Sequence, residues 1–131
     1  MSDILWQPSA ERIRASRLHA FARLLHDRHG IALRDYPSLH QWSIDQRAEF
    51  WQAIVDFFDV QWHAAPHAVL REGPQMPDAQ WFPGATLNFA EHLLRRRDTH
   101  TAVVAIGEDG QRETLSYREL AEQVAGLQKS L

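Results

Sequence analysis

The first sixty residues carry apolar side chains at the 3.6-residue period of amphipathic helices. Residues 9–29 place theirs on one stripe, with Ser9 as N-cap and Gly30 as the glycine that ends the helix. The stripe consists of Ile13, Leu18, Phe21, Leu24 and Leu25. This pattern predicts a single helix that packs one face on a core and exposes the other.

A second helical region follows this helix. Residues 35–42 predict a short element capped by Asp35. Ser43 and Gln46 have the spacing of a capping box, so a longer helix is predicted over residues 44–62. Its apolar arc is wide enough to touch two neighbours, and this helix is therefore predicted to be the centre of the N-terminal core.

Residues 63–83 contain four prolines and predict a connection without regular structure. We expect the large side chains of Met76, Trp81 and Phe82 to pin this connection. The tryptophans are likewise expected to anchor the core rather than to form a ligand cage. These tryptophans are Trp42, Trp51, Trp62 and Trp81.

The pattern changes to strands after a third helix. Asn88 and Glu91 again have capping-box spacing and predict a short helix over residues 89–97. The continuous apolar run at 102–106, the turn at 107–110 and the alternating residues 111–116 predict a hairpin. Its first strand is apolar on both faces, and its second strand is typical of a sheet edge.

A last helix is predicted over residues 117–129, opened by a capping box of Ser116 and Glu119. Its apolar stripe comprises Leu120, Val124, Leu127 and Leu131. One helix covers one face of the hairpin only. We therefore expect an α+β chain in which residues 1–100 form a mostly helical domain and residues 101–131 open a second domain whose remainder lies outside this sequence.

The composition is that of a globular chain, with 131 residues, 44% hydrophobic and 24% charged. A net charge of −3 argues against nucleic-acid binding, and no apolar run reaches the length of a membrane span. The absence of cysteine excludes disulfides, Cys-based zinc sites and a thiol nucleophile. Residues 1–10 lack the features of a secretory signal, and a cytoplasmic location is expected.

Eight histidines raise the possibility of a metal site. His19 and His26 are two helical turns apart, about 10.5 Å, which is too far for one ion. His26 and His29 are closer but lack a carboxylate to complete a site, and Pro66 separates the His63 and His67 pair. We therefore predict no metal ligands.

No other constellation predicts catalysis or cofactor binding. Asp35 and Glu91 are better explained as helix caps than as acid–base groups. The run Arg95-Arg96-Arg97 could hold an anion such as a nucleotide phosphate, but a basic helix end is the favoured interpretation. We assign no catalytic, cofactor-binding or metal-binding residue.

Two segments resemble a known family. Residues 81–91, Trp-Phe-Pro-Gly-Ala-Thr-Leu-Asn-Phe-Ala-Glu, are similar to the N-terminal region of acyl-CoA synthetases, and most similar to the acetoacetyl-CoA synthetase subgroup. Phe89 replaces the tyrosine usual there. Residues 35–43, the Phe50-Trp51 pair and Leu5-Trp6 fit the same subgroup. Residues 114–120 resemble the Thr-Tyr-x-Glu-Leu element that begins the AMP-binding domain of adenylate-forming enzymes.

The resemblance implies an acid–thiol ligase. Such enzymes use ATP with magnesium to form an acyl-adenylate, and coenzyme A then displaces AMP. The motifs for these steps lie downstream in the family, so this chain alone is expected to be inactive and to bind no cofactor. The implied partners are the remainder of the AMP-binding domain and a small carboxylic acid in the parent protein, with a homo-oligomer of this chain possible.

Three alternatives remain open at this stage. The chain could be a stand-alone, non-catalytic interaction module derived from the ligase fold. It could belong to a synthetase for acetate or propionate instead of acetoacetate. A small metal-binding regulator is the third.

Overall fold

The computed structural model describes residues 5–33 and 35–130 and confirms the α+β class. No helix in these ranges is both long and apolar enough to cross a bilayer. The helices are α1 (Ala10–Arg14), α2 (Arg17–His29), α3 (Tyr36–Asp45), α4 (Arg47–Phe57), α5 (Phe89–Leu94) and α6 (Tyr117–Gln128). The strands are β1 (Leu70–Arg71), β2 (Gln80–Trp81), β3 (Thr101–Ile106) and β4 (Arg112–Ser116), and a 3₁₀ turn spans Met76–Asp78.

The described residues form two compact units. Unit 1 contains the residues up to Val60 together with Ala65–Ala85, and unit 2 contains Gln61–Ala64 with the residues from Thr86 onward. The domain boundary expected between residues 100 and 101 stays a prediction.

The predicted helix over residues 9–29 is two helices, because Ser16 starts a new one. Its side chain accepts a hydrogen bond from the His19 N–H over 3.1 Å and serves as the N-cap of α2. The other predicted ends are confirmed. Ser9 caps α1 through the Arg12 N–H at 3.2 Å, and Gly30 ends α2 with φ 67°.

The capping box predicted at Ser43 and Gln46 is wrong. Asp35 and Ser38 form the box instead, with the Ser38 N–H 2.9 Å from the Asp35 carboxylate and the Asp35 N–H 3.1 Å from the Ser38 hydroxyl. Ser43 lies inside α3, where its hydroxyl donates to the His40 carbonyl. The following helix is consequently shorter than the predicted 44–62.

The core of unit 1 lies between α2, α3 and α4. Its buried side chains are Phe21, Leu25, Leu39 and Ala53. The Phe21 ring contacts Phe50 and Phe57 edge to face, with centroids 6.1 and 5.3 Å apart. Because α4 packs against both α2 and α3, its predicted central place in the N-terminal core is confirmed.

The connection over residues 63–83 is more ordered than predicted, since β1 and β2 pair antiparallel within it. Met76 does not pin it, because the side chain is 92% exposed. The expectation of tryptophan core anchors is confirmed for Trp42, which is partly buried, packs against the core of unit 1 and contacts the Phe50 ring edge to face at 5.9 Å. None of the chain's tryptophans is fully buried, and Trp51 and Trp81 contact each other edge to face at 5.7 Å.

Unit 2 contains the predicted hairpin. β3 and β4 pair antiparallel with Val104 opposite Thr114 and Ala105 opposite Glu113, and a register irregularity separates Thr101 from Val103. Ser116 and Glu119 form the predicted capping box of α6. The preceding helix α5 ends at Leu94, three residues before the predicted end at Arg97.

Candidate functional site

Among the described residues, we consider the β3–β4 hairpin of unit 2 first, because it exposes large apolar side chains. Its turn is held by the Gly107 N–H, which donates to the Gln111 carbonyl over 2.8 Å, and by the Gly110 N–H, which donates to the Gly107 carbonyl over 3.0 Å. Gly110 has φ 78°, a conformation that glycine adopts without strain. This arrangement is a tight, well-formed turn with no phosphate-binding geometry.

The strand β3 is apolar and exposed. Val103, Val104 and Ile106 are 43%, 45% and 73% exposed, although neighbouring side chains of a strand point to opposite faces. The hairpin is a sheet of two strands, so β3 has one outer edge without a β partner among the described residues. An apolar strand that is open on its faces and along one edge indicates a docking surface.

A polar cluster fixes the start of α6 beside this hairpin. The Asp98 carbonyl accepts from the Arg118 N–H, and the His100 carbonyl accepts from the Tyr117 N–H. Burial acts to raise the pKa of Asp98, but hydrogen bonds from Arg96 and the His100 N–H and the charge of Arg96 lower it overall. His100 Nδ1 also lies 3.2 Å from Asp98 Oδ2. These contacts position the start of α6.

The capping box of α6 contains Glu119, the second carboxylate whose pKa is shifted. The hydroxyl and the backbone N–H of Ser116 donate to the Glu119 carboxylate over 2.6 and 2.8 Å. These two hydrogen bonds lower the pKa of Glu119. The Glu119 carboxylate therefore serves as part of the N-terminal cap of α6.

The three arginines considered as an anion site follow α5 instead of ending it. Arg96 pairs with Asp98 at 2.8 Å and lies over the Tyr117 ring. Arg97 donates from Nε to the Leu94 carbonyl at the end of α5. Arg96 and Arg97 thus satisfy partners within unit 2, which favours a structural role.

Glu91 and two histidines join the Gln61–Ala64 segment to α5. His63 Nε2 lies 2.6 Å from Glu91 Oε2, and His92 Nε2 lies 3.0–3.1 Å from the backbone N and O of Gln61. Asn88 caps α5 as predicted, but Glu91 binds His63 instead of completing a capping box. The two partners are 28 residues apart, so no local spacing could have indicated this pair.

The remaining histidines of the described residues do not group as metal ligands. Over residues 5–33 and 35–130, no group of three or more His, Asp or Glu side chains is placed to hold a metal ion. A shallow cavity of about 200 Å³ in unit 1 is lined mainly by apolar side chains such as Ile13, Leu18 and Leu39. Asp35 also lines it, but its carboxylate caps α3.

Comparison with known proteins gives a consistent assignment. Residues 36–93 match the family model described as the acetyl-coenzyme A synthetase N-terminus. An acetoacetyl-coenzyme A synthetase of Rhizobium meliloti is 35% identical over 97% of this chain and 19% of its own length. A malonamoyl-CoA synthetase of Penicillium aethiopicum is 33% identical over 98% of this chain and 18% of its own length.

The fold agrees with the sequence. A solved structure of acetoacetyl-CoA synthetase from Streptomyces lividans covers 99% of this chain with a TM-score of 0.87 and 40% identity. The match covers 21% of that chain, so the sequence spans about a fifth of the length of these relatives. In sequence and in fold, the chain therefore corresponds to the N-terminal region of the acetoacetyl-CoA synthetases, within the acyl-CoA synthetase family.

Proposed function

We propose that this chain is the N-terminal part of an ATP-dependent acid–thiol ligase that converts acetoacetate and coenzyme A to acetoacetyl-CoA, AMP and diphosphate. The observation that supports this most strongly is the 40% identity and common fold shared with the Streptomyces lividans acetoacetyl-CoA synthetase over 99% of the chain. Residues 1–100 act as a helical domain, and residues 101–131 begin the AMP-binding domain.

The role of the chain within this ligase is structural. Its carboxylates Asp35, Asp98 and Glu119 are occupied in caps and ion pairs. The described residues offer neither a glycine-rich phosphate loop nor a metal-binding cluster. We propose that the residues that bind ATP, magnesium and coenzyme A lie in the remainder of the ligase, and that the ligase is cytoplasmic.

Acetate, propionate or a related short acid is the second candidate substrate. The family model that matches residues 36–93 is named for acetyl-coenzyme A synthetase, and one relative is a malonamoyl-CoA synthetase. Acetoacetate remains the proposal because several similar relatives carry that name.

The test is an assay of acid-dependent AMP formation. The ligase polypeptide that contains this chain is supplied with ATP, magnesium, coenzyme A and one of four acids: acetoacetate, acetate, propionate or malonamate. We expect the highest kcat/KM with acetoacetate and no AMP above background from the 131-residue chain alone. AMP formation by that chain, or a reading frame that stops at its last residue, contradicts the proposal and favours a stand-alone interaction module.

A further inference from the structure

We propose that His63, Glu91 and His92 form a pH-sensitive clasp, which holds the Gln61–Ala64 segment on α5 more tightly at pH 6 than at pH 8. The inference goes beyond the proposed function. It concerns a conformational contact within unit 2, and it is the same for any acid that the ligase activates.

Two side chains of α5 make the clasp. Glu91 Oε2 lies 2.6 Å from His63 Nε2, so one carboxylate holds the third residue of the segment. His92 Nε2 lies 3.1 Å from the backbone N of Gln61 and 3.0 Å from its O, so an imidazole holds the first residue. The segment is therefore attached to α5 near both of its ends.

The clasp lies where the chain passes between the two units. The chain leaves unit 1 after Val60, returns to it at Ala65 and enters unit 2 again at Thr86. The His63 and Ala64 N–H groups donate to the Thr86 carbonyl over 2.7 and 3.3 Å, and the Thr86 N–H donates to the Ala64 carbonyl over 3.1 Å. The three passages thus adjoin one hydrogen-bonded stretch of unit 2, to which the clasp is attached.

The pH sensitivity comes from the contact between His63 and Glu91. An exposed imidazole gains a proton as the pH falls through the range from 8 to 6. Protonated His63 binds the Glu91 carboxylate as an ion pair, which is stronger than the hydrogen bond that neutral His63 forms with it. The two side chains are 55% and 63% exposed, so the charge strengthens the contact only about 2- to 3-fold.

The contact of His92 changes less with pH. Its Nε2 accepts from the Gln61 N–H when it is unprotonated and donates to the Gln61 carbonyl when it is protonated. Both atoms of Gln61 lie within hydrogen-bond distance of this nitrogen, so the imidazole retains a partner in either state.

The other charged groups on the packed elements keep their charge over this range. Arg95 lies one helical turn beyond Glu91, and α6, which packs on α5, carries Arg118, Glu119 and Glu122. Guanidinium and carboxylate groups do not titrate between pH 6 and pH 8. Their effect on the clasp is therefore constant, and the change with pH belongs to the histidines.

Hydrogen exchange at the Ala64 and Thr86 amides of the purified ligase polypeptide tests the clasp. After division by the intrinsic exchange rate at each pH, we expect protection to rise about 2- to 3-fold from pH 8 to pH 6. His63→Gln and Glu91→Gln should each remove this rise, because neither variant can form the ion pair. Protection that is independent of pH in the wild type, or that falls towards pH 6, overturns the inference.

His100→Gln is the matched control. His100 belongs to unit 2 and also pairs with a carboxylate, since its Nδ1 lies 3.2 Å from Asp98 Oδ2. H100Q should keep the full rise in protection at Ala64 and Thr86. A rise that persists in H63Q, or that is lost equally in H63Q and H100Q, overturns the clasp. The expected rise in a polypeptide without acid-dependent AMP formation contradicts the proposed function alone.

Discussion

At the scale of single residues, Gly73 has no room for a side chain. A Cβ added there would overlap the Asp78 Cβ and lie 2.7 and 2.9 Å from the Asp78 carbonyl carbon and oxygen. Gly73→Ala should therefore cost about 1–3 kcal/mol of unfolding free energy, since backbone must move. Gly126 is the control, because a Cβ there meets nothing within 4 Å and G126A should gain about 0.5–1 kcal/mol within α6. Urea unfolding measures both, and a G73A loss below that of ordinary surface variants contradicts the clash.

Two carboxylates at this scale predict an acid-sensitive fold in unit 2. The pKa values of Asp98 and Glu119 are lowered in the folded state, so both groups bind protons more readily when unfolded. Their contribution to stability is full above the unfolded pKa values and is lost as pH falls through the folded ones. The Tm should thus fall between about pH 5 and pH 3, and the double variant D98N/E119Q should show a shallower fall.

The comparison for this pH effect is a carboxylate without the same hydrogen bonds. Glu108 lies in the exposed hairpin turn between β3 and β4. E108Q should therefore leave the slope of Tm against pH unchanged. A slope that is identical in D98N/E119Q and in the wild type would show that these two groups do not control the acid sensitivity.

At the scale of elements, helix starts were the least predictable feature. Capping boxes are predicted at Ser43, Asn88 and Ser116, and of these three only Ser116 forms the full box, at the start of α6. Ser43 fails because a cap eight residues earlier has already started the helix that contains it. Local spacing shows which capping hydrogen bonds a segment could form. Which of them forms depends on whether another residue already caps the helix.

The same competition gives a prediction for α3. Asp35→Ala removes the carboxylate that accepts the Ser38 N–H at 2.9 Å, and should cost about 1 kcal/mol. Ser43→Ala removes only a hydroxyl that donates within the helix to the His40 carbonyl, and should change stability by less than ~0.5 kcal/mol. Urea unfolding of the two variants compares them directly. A larger loss of unfolding free energy for S43A than for D35A would indicate that Ser43 is the helix cap, as the sequence pattern predicts.

Strands and amphipathic helices were more predictable than their ends. The one-sided stripe of α2 buries Phe21 and Leu25, and the apolar run that predicts a strand forms β3. Periodicity identifies such elements because burial of one face recurs at every turn of a helix. The contact between His63 and Glu91 could not be predicted from local sequence, because the two residues are 28 positions apart and only the fold brings them together.

At the scale of the whole molecule, the large side chains are less buried than the sequence suggests. The fully buried core of unit 1 is small, and Trp51 and Trp81 remain 41% and 43% exposed. Tryptophan content predicts large apolar contacts but does not say whether these form within a chain or with another surface. The same holds for the exposed apolar side chains of β3. The sequence pattern predicts an apolar strand but does not identify the surface that covers it.

Exposed apolar residues on the hairpin should make the isolated chain self-associate. Ile106 is 73% exposed beside the outer edge of β3, so two chains can bury this region against each other at high concentration. Ile106→Lys should shift the apparent mass towards that of a monomer in sedimentation velocity across a concentration series, because a charge at the edge opposes pairing. Met76→Lys is the matched control, since Met76 is 92% exposed, belongs to unit 1 and gains the same charge when it is replaced. Equal effects of I106K and M76K would attribute the association to net charge, and a wild-type chain that is monomeric at every concentration would show that the exposed strand does not self-associate.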